Sequence, residues 1–181
     1  MKVLILPWFN AQMKYVNKYK LFYNSIGIKN IDIYNYSLQT AVTHKGWLNI
    51  ENNFNKNYDV IHTFSGGSLI YYNLHKKGLN CDKVIYDSGP MFPTTNCISN
   101  YIVNYYNLNN NLKYPINKTI KYLWDIEKKY YKKNFTYEID YNKIIFENNE
   151  IKKLILNCHN DKLIIHNEIN NYLNNPNLEY F

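Results

Sequence analysis

Short apolar runs that stop after five or six residues, each tied to a stretch with helical spacing, constrain this chain more than any other feature. KVLIL (Lys2–Leu6) ends at Pro7. It is continuous rather than alternating, as a strand buried on both faces should be, and proline ends such a run because it cannot donate to the ladder. In QMKYVNKYKLFYNSIG, the residues Tyr15, Tyr19, Phe22, Tyr23 and Ile26 recur at i, i+4, i+7, i+8 and i+11, and Gly27 stands where a helix end favours glycine. IDIYNY reads as a second strand and DVIHTF as a third. The helix GSLIYYNLHKKG follows, with basic residues near its end and Gly78 beyond them, as the helix dipole and a glycine cap favour. DKVIYD is a fourth strand, stopped by Ser88-Gly89-Pro90. KKLILNC is a fifth, DKLIIHNEINNYL a helix after it, and NLEYF the start of one more strand. Between Ser37 and Tyr58 the signal is weak; Trp47, Leu48 and Ile50 fit a short helix.

Strand–helix alternation of this kind predicts an α/β fold with a doubly wound, mainly parallel sheet. Two helical patterns, CISNYIVNYYNL and NKTIKYLWDIEKKYYKKNF, succeed each other with no strand between them. Residues 91–134 are therefore read as a helical insertion. The length of 181 residues suits a single domain, and neither an internal repeat nor a linker divides it.

The formal charge is +7, yet all 21 basic residues are lysine. Arginine is the usual reader of phosphates and base edges, and these lysines are spread along the chain, so no nucleic-acid role is expected. Cys81, Cys97 and Cys158 have neither metal-ligand nor disulfide-framework spacing; reduced thiols, an intracellular and cytoplasmic setting, and no metal or cofactor follow as expectations. MKVLILPWF is too short for a signal core, and no apolar run reaches membrane-spanning length. KTIKYLWDIEKKYYKKNF mixes lysine with aromatic residues. It reads as a solvated helix packing its aromatic side on the domain, with peripheral contact to an anionic membrane as the alternative.

Chemistry in a parallel sheet collects at the carboxyl ends of the strands. Ser65 falls at such an end, in Thr63-Phe64-Ser65-Gly66-Gly67. A nucleophile elbow, G-x-S-x-G, needs a strained serine backbone and small neighbours; Gly67 supplies the trailing glycine, and Thr63 replaces the leading one. Gly66 could offer its N–H to an oxyanion at the start of the helix. The competing reading is a serine that only caps the helix. A phosphate loop is the third, but neither glycine-rich phosphate motif occurs.

The blocks ILPWFNAQMKYVNKYKLFYNSIG, HTFSGGS, VIYDSGP and LNCHNDKLI occur in an order that resembles the transmembrane-protein-53-like branch of the α/β-hydrolase-fold proteins. The resemblance runs over nearly the whole chain. It implies a reduced α/β-hydrolase sheet with 91–134 as a cap, and a serine hydrolase acting on a small acyl or lipid-like ester. It makes Ser65 the nucleophile, Gly66 and a residue near Trp8 or Phe9 the oxyanion donors, and Asp161 the acid. Read from the residues alone, Asp161 is equally the N-cap of the helix that follows. Asp87, which also ends a strand, is the second candidate acid or a turn former.

A serine nucleophile needs an imidazole to take its proton. The resemblance implies one on the loop after the last strand. With NLEYF as that strand and Phe181 the final residue, the expectation is a chain lacking this histidine. His62 is expected to pack on the sheet, His44 to face solvent and His75 to sit at a helix end, while His159 and His166 flank Asp161 as the remaining candidate bases. Two functions follow as alternatives: a serine hydrolase, or a non-catalytic hydrolase-fold remnant kept for binding.

Overall fold

The computed structural model describes residues 1–37, 55–89, 95–130, 141, 144–145, 150–156 and 178–180. Its strands are β1 (Lys2–Leu6), β2 (Asn30–Ile33), β3 (Asn57–Phe64), β4 (Asn80–Asp87), β5 (Lys152–Leu156) and β6 (Leu178–Tyr180). The helices are α1 (Met13–Ser25), α2 (Gly67–Lys76), α3 (Thr95–Tyr105) and α4 (Lys113–Tyr130), with a 3-10 turn at Asn110–Leu112 before α4. The six strands form one sheet in the order β2-β1-β3-β4-β5-β6, and all five pairings are parallel. The chain thus belongs to the α/β class.

Alternation along β1 explains why its run is continuously apolar. Val3 and Ile5 join Val16 and Tyr23 of α1 in one core cluster. Leu4 and Leu6 join Leu69, Ile70 and Leu74 of α2 in the other. The two helices therefore cover opposite faces, and every second residue of the strand is needed by one of them.

Three helices stop by the same device. Gly27 (φ 87°), Gly78 (φ 94°) and Asn107 (φ 51°) adopt the left-handed conformation just past α1, α2 and α3. Each donates to the carbonyl three residues back, and the next residue donates to the carbonyl five back, as in Ile28 to Tyr23 at 3.0 Å and Leu79 to Leu74 at 3.0 Å. This is the Schellman arrangement, and its usual apolar contact is present, because Ile28 and Tyr23 share one core cluster and Leu79 and Leu74 the other.

Elements differ from the sequence reading at their ends. β2 stops at Ile33 rather than Tyr36, as its neighbour β1 ends at Leu6 and the carbonyl of the next residue, Pro7, accepts from the Tyr36 hydroxyl instead of extending a ladder. α4 begins at Lys113, four residues before the expected Asn117, since Pro115 is tolerated in a first turn where amides have no helical partner. α3 and α4 pack as a helical pair, with Asn117 hydrogen-bonded to Asn96 and, at 3.4 Å, to Thr95. Residues 91–94 and 131–134 of the expected insertion, and the short helix around Trp47, lie outside the described residues. Among the described residues no helix is long and apolar enough to cross a membrane.

Candidate functional site

The strand order sets β1 and β4 on either side of β3, so the loops leaving both strands flank the carboxyl end of β3, where Ser65 sits. From β1 the sheet runs to β2 on one side and to β3 on the other, which makes the β1/β3 boundary a topological switch point. Crevices at such points are where open α/β sheets bind ligands.

Ser65 has φ 48°. A side chain in this region costs about 1–2 kcal/mol, and only the surrounding structure can hold it there. Two sets of hydrogen bonds do so. The Ser65 N–H donates to the Asp87 carbonyl at 2.9 Å, and the Ser65 carbonyl accepts from the Ser68 N–H at 3.2 Å and the Ser68 hydroxyl at 3.1 Å. The Tyr141 hydroxyl in turn donates to Ser68 at 2.9 Å. The N-cap of α2 is Gly66, and among the described residues the Ser65 hydroxyl makes no hydrogen bond to the helix's first turn. The capping role for Ser65 is therefore not the one adopted.

The two glycines permit close approach. A Cβ on Gly66 would stand 2.0 Å from Phe9 Cε2, and one on Gly67 would stand 2.3 Å from the Leu6 carbonyl oxygen. Phe9 is thus pressed against the start of α2. Its ring meets Tyr36 edge-on, with centroids 5.3 Å apart. Burial pushes the Tyr36 phenol well above its ordinary pKa, so its hydroxyl stays protonated and remains a donor to Pro7. In the same loop the Asn10 N–H donates to Tyr36 at 3.3 Å and the Ala11 N–H to Trp8 at 3.1 Å. The amides of Trp8, Phe9 and Gly66 have no hydrogen-bond partner among the described residues.

A second polar group lies below this corner, on the α1 face. His62 is buried, and its Nδ1 is 2.8 Å from the Tyr23 hydroxyl. Its Nε2 has no hydrogen-bond partner among the described residues and lies 3.8 Å from Asp87 Oδ2. The Asp87 carboxylate also accepts from the Ser88 hydroxyl at 3.1 Å. The imidazole stacks on Phe64 at 4.1 Å, with Tyr19 edge-on at 5.9 Å. Burial raises the Tyr23 phenol to about 12, and burial followed by the Asp87 charge raises that of Tyr19.

Phe9 is thus placed against Gly66, next to Ser65, and His62 is buried on the sheet. Asp161, His159, His166 and His44 lie outside the described residues. The Tyr23–His62–Asp87 group was not anticipated. Its signals were the shared parity of His62 and Phe64 along β3 and the i, i+4 spacing of Tyr19 and Tyr23 on one helix face. Among the described residues no cluster of histidine, cysteine and acidic groups could hold a metal ion. The chain matches no protein-family model and no curated protein.

Proposed function

We propose that this chain is a reduced α/β-hydrolase-type protein and that Ser65 is the nucleophile of a serine hydrolase acting on carboxylic esters. In this reading the sheet is doubly wound, α3 and α4 belong to a cap, and the protein works inside the cell. The Ser65 oxygen adds to the ester carbonyl and its proton passes to a base. The alcohol leaves with that proton, and water then releases the acid. The Gly66 N–H and the N–H of Phe9 receive the oxyanion, Asp161 orients the base, and His159 and His166 are the candidate bases.

One observation carries the reading: Ser65 holds a left-handed backbone at a strand end, beside the amides of Trp8, Phe9 and Gly66, which have no hydrogen-bond partner among the described residues. A serine kept only for solubility or capping has no need of that conformation. Oxyanion donors of this kind are worth about 3–4 kcal/mol in a transition state, and backbone N–H groups at a helix start are well suited to supply them.

A second reading, a hydrolase-fold remnant that binds without reacting, is favoured by the state of His62. This imidazole, three residues before Ser65, is taken up by Tyr23 and faces Asp87. Among the described residues no imidazole is hydrogen-bonded to Ser65. Labelling with a fluorophosphonate probe separates the two. The hydrolase reading expects labelling of the wild type and none of Ser65→Ala. Equal labelling of both, or of neither, refutes it and leaves the binding role.

A further inference from the structure

We infer that the Phe9 side chain is a fixed wall beside Ser65 that restricts the site to esters of short acyl groups such as acetyl. The inference rests on the hydrolase reading above and names its substrate class.

The argument begins with the empty side-chain position of Gly66. A Cβ there would stand 2.0, 2.5 and 2.7 Å from three carbons of the Phe9 ring, so the ring occupies the volume that a side chain at 66 would fill. A Cβ lies about 2.5 Å from its own amide nitrogen. The near edge of the ring is therefore within roughly 4.5 Å of the Gly66 nitrogen. A carbonyl oxygen accepting from that N–H sits about 2.9 Å from the nitrogen. Its carbon lies about 1.2 Å further on. Carbon atoms pack no closer than about 3.5 Å. The carbonyl carbon and the ring edge are thus at most about 8.6 Å apart, so a group extending from that carbonyl toward the ring meets the aromatic edge within about four carbon atoms.

Gly66 and Tyr36 hold the ring on two sides. Tyr36 stands against it, edge-on, and the Tyr36 hydroxyl is tied to the Pro7 carbonyl of the same loop. The loop is tied back through the Asn10 N–H to the Tyr36 carbonyl and turns at Asn10, itself left-handed at φ 55°. The backbone that carries Phe9 is thereby tied to the segment after β2.

The test compares kcat/KM for p-nitrophenyl acetate and p-nitrophenyl octanoate in the wild type, Phe9→Ala and Phe9→Leu, with Ser65→Ala as the blank. A pocket wall of this size is worth roughly a 10- to 200-fold discrimination. The wild type is expected to prefer acetate, and Phe9→Ala to narrow that preference at least tenfold, the ratio being read because Phe9 also supplies an oxyanion N–H and its replacement shifts both rates. Phe9→Leu should fall between them, and it replaces Phe9→Ala if that variant does not fold. An unchanged acetate-to-octanoate ratio in an active Phe9 variant, or a wild type that prefers octanoate, overturns the wall. Hydrolysis of neither ester by the wild type, together with no fluorophosphonate labelling, overturns the hydrolase reading itself and the wall with it.

Discussion

Lys153 provides the sharpest test of how this sheet is built. It lies in β5, between β4 and β6, and is only 3% exposed. Burial lowers its pKa from 10.5 to about 8, with a smaller opposite effect from Cys81. That drop corresponds to about 3 kcal/mol spent on keeping the amine charged in the folded state at neutral pH. Lys153→Met retains an unbranched stem without the charge, so it removes that cost together with the interactions the ammonium makes. The pH dependence is more discriminating than the magnitude. Above pH 8 the folded chain releases the proton, while the unfolded chain holds it to 10.5. The unfolded state then binds more protons, so stability rises with pH, by up to about 1.4 kcal/mol per pH unit. From pH 9 an opposite contribution enters: burial raises the Cys81 thiol from 9.0 to about 12, so the unfolded chain loses that proton first. The clean window is pH 8 to 9. Urea unfolding measured across pH 7 to 9.5 should give a wild-type stability that climbs through this window and a Lys153→Met profile that lacks the climb. Parallel profiles for the two proteins would refute the reasoning, because every other titrating group is common to both.

Two further expectations concern the corner. Gly67→Ala sets a Cβ 2.3 Å from the Leu6 carbonyl oxygen, a backbone atom that cannot rotate away; a loss of about 1–3 kcal/mol, read as a lower urea midpoint, is expected, and a wild-type midpoint would show that the contact is not rigid. Ser65→Gly should be more stable than Ser65→Ala by about 1 kcal/mol in thermal melts, because only glycine occupies the left-handed region without a Cβ penalty. Equal melting temperatures would mean that residue 65 does not hold that backbone conformation in solution.

The strands were legible because a parallel strand covered on both faces must be continuously apolar, and KVLIL or DVIHTF has few other uses. Helix ends were legible where Gly27 and Gly78 supplied the left-handed residue. Asn107, which performs the same turn after α3, was not, since asparagine is abundant throughout this chain and signals little at one position. The end of β2 depended on a contact with Pro7, distant in sequence, which local pattern cannot carry. At the site, Ser-Gly-Gly after an apolar run was enough to anticipate the bend. The joining of Tyr23, His62 and Asp87 was hidden, because it needs α1, β3 and β4 in register, and each residue alone has a commonplace explanation.

The register of the central strands also bears on how the chain reaches this structure. β3 and β4 are joined through α2 and form a local unit, Asn57 opposite Asn80. β1 must instead meet β3 across the whole intervening α1–β2 segment and more, with Val3 opposite Val60. Closing that longer loop costs more entropy before any contact repays it, so the β1–β3 pairing forms more slowly than the β3–β4 pairing. The crevice beside Ser65, which needs both β1 and β3, is therefore completed only after β3 and β4 have paired.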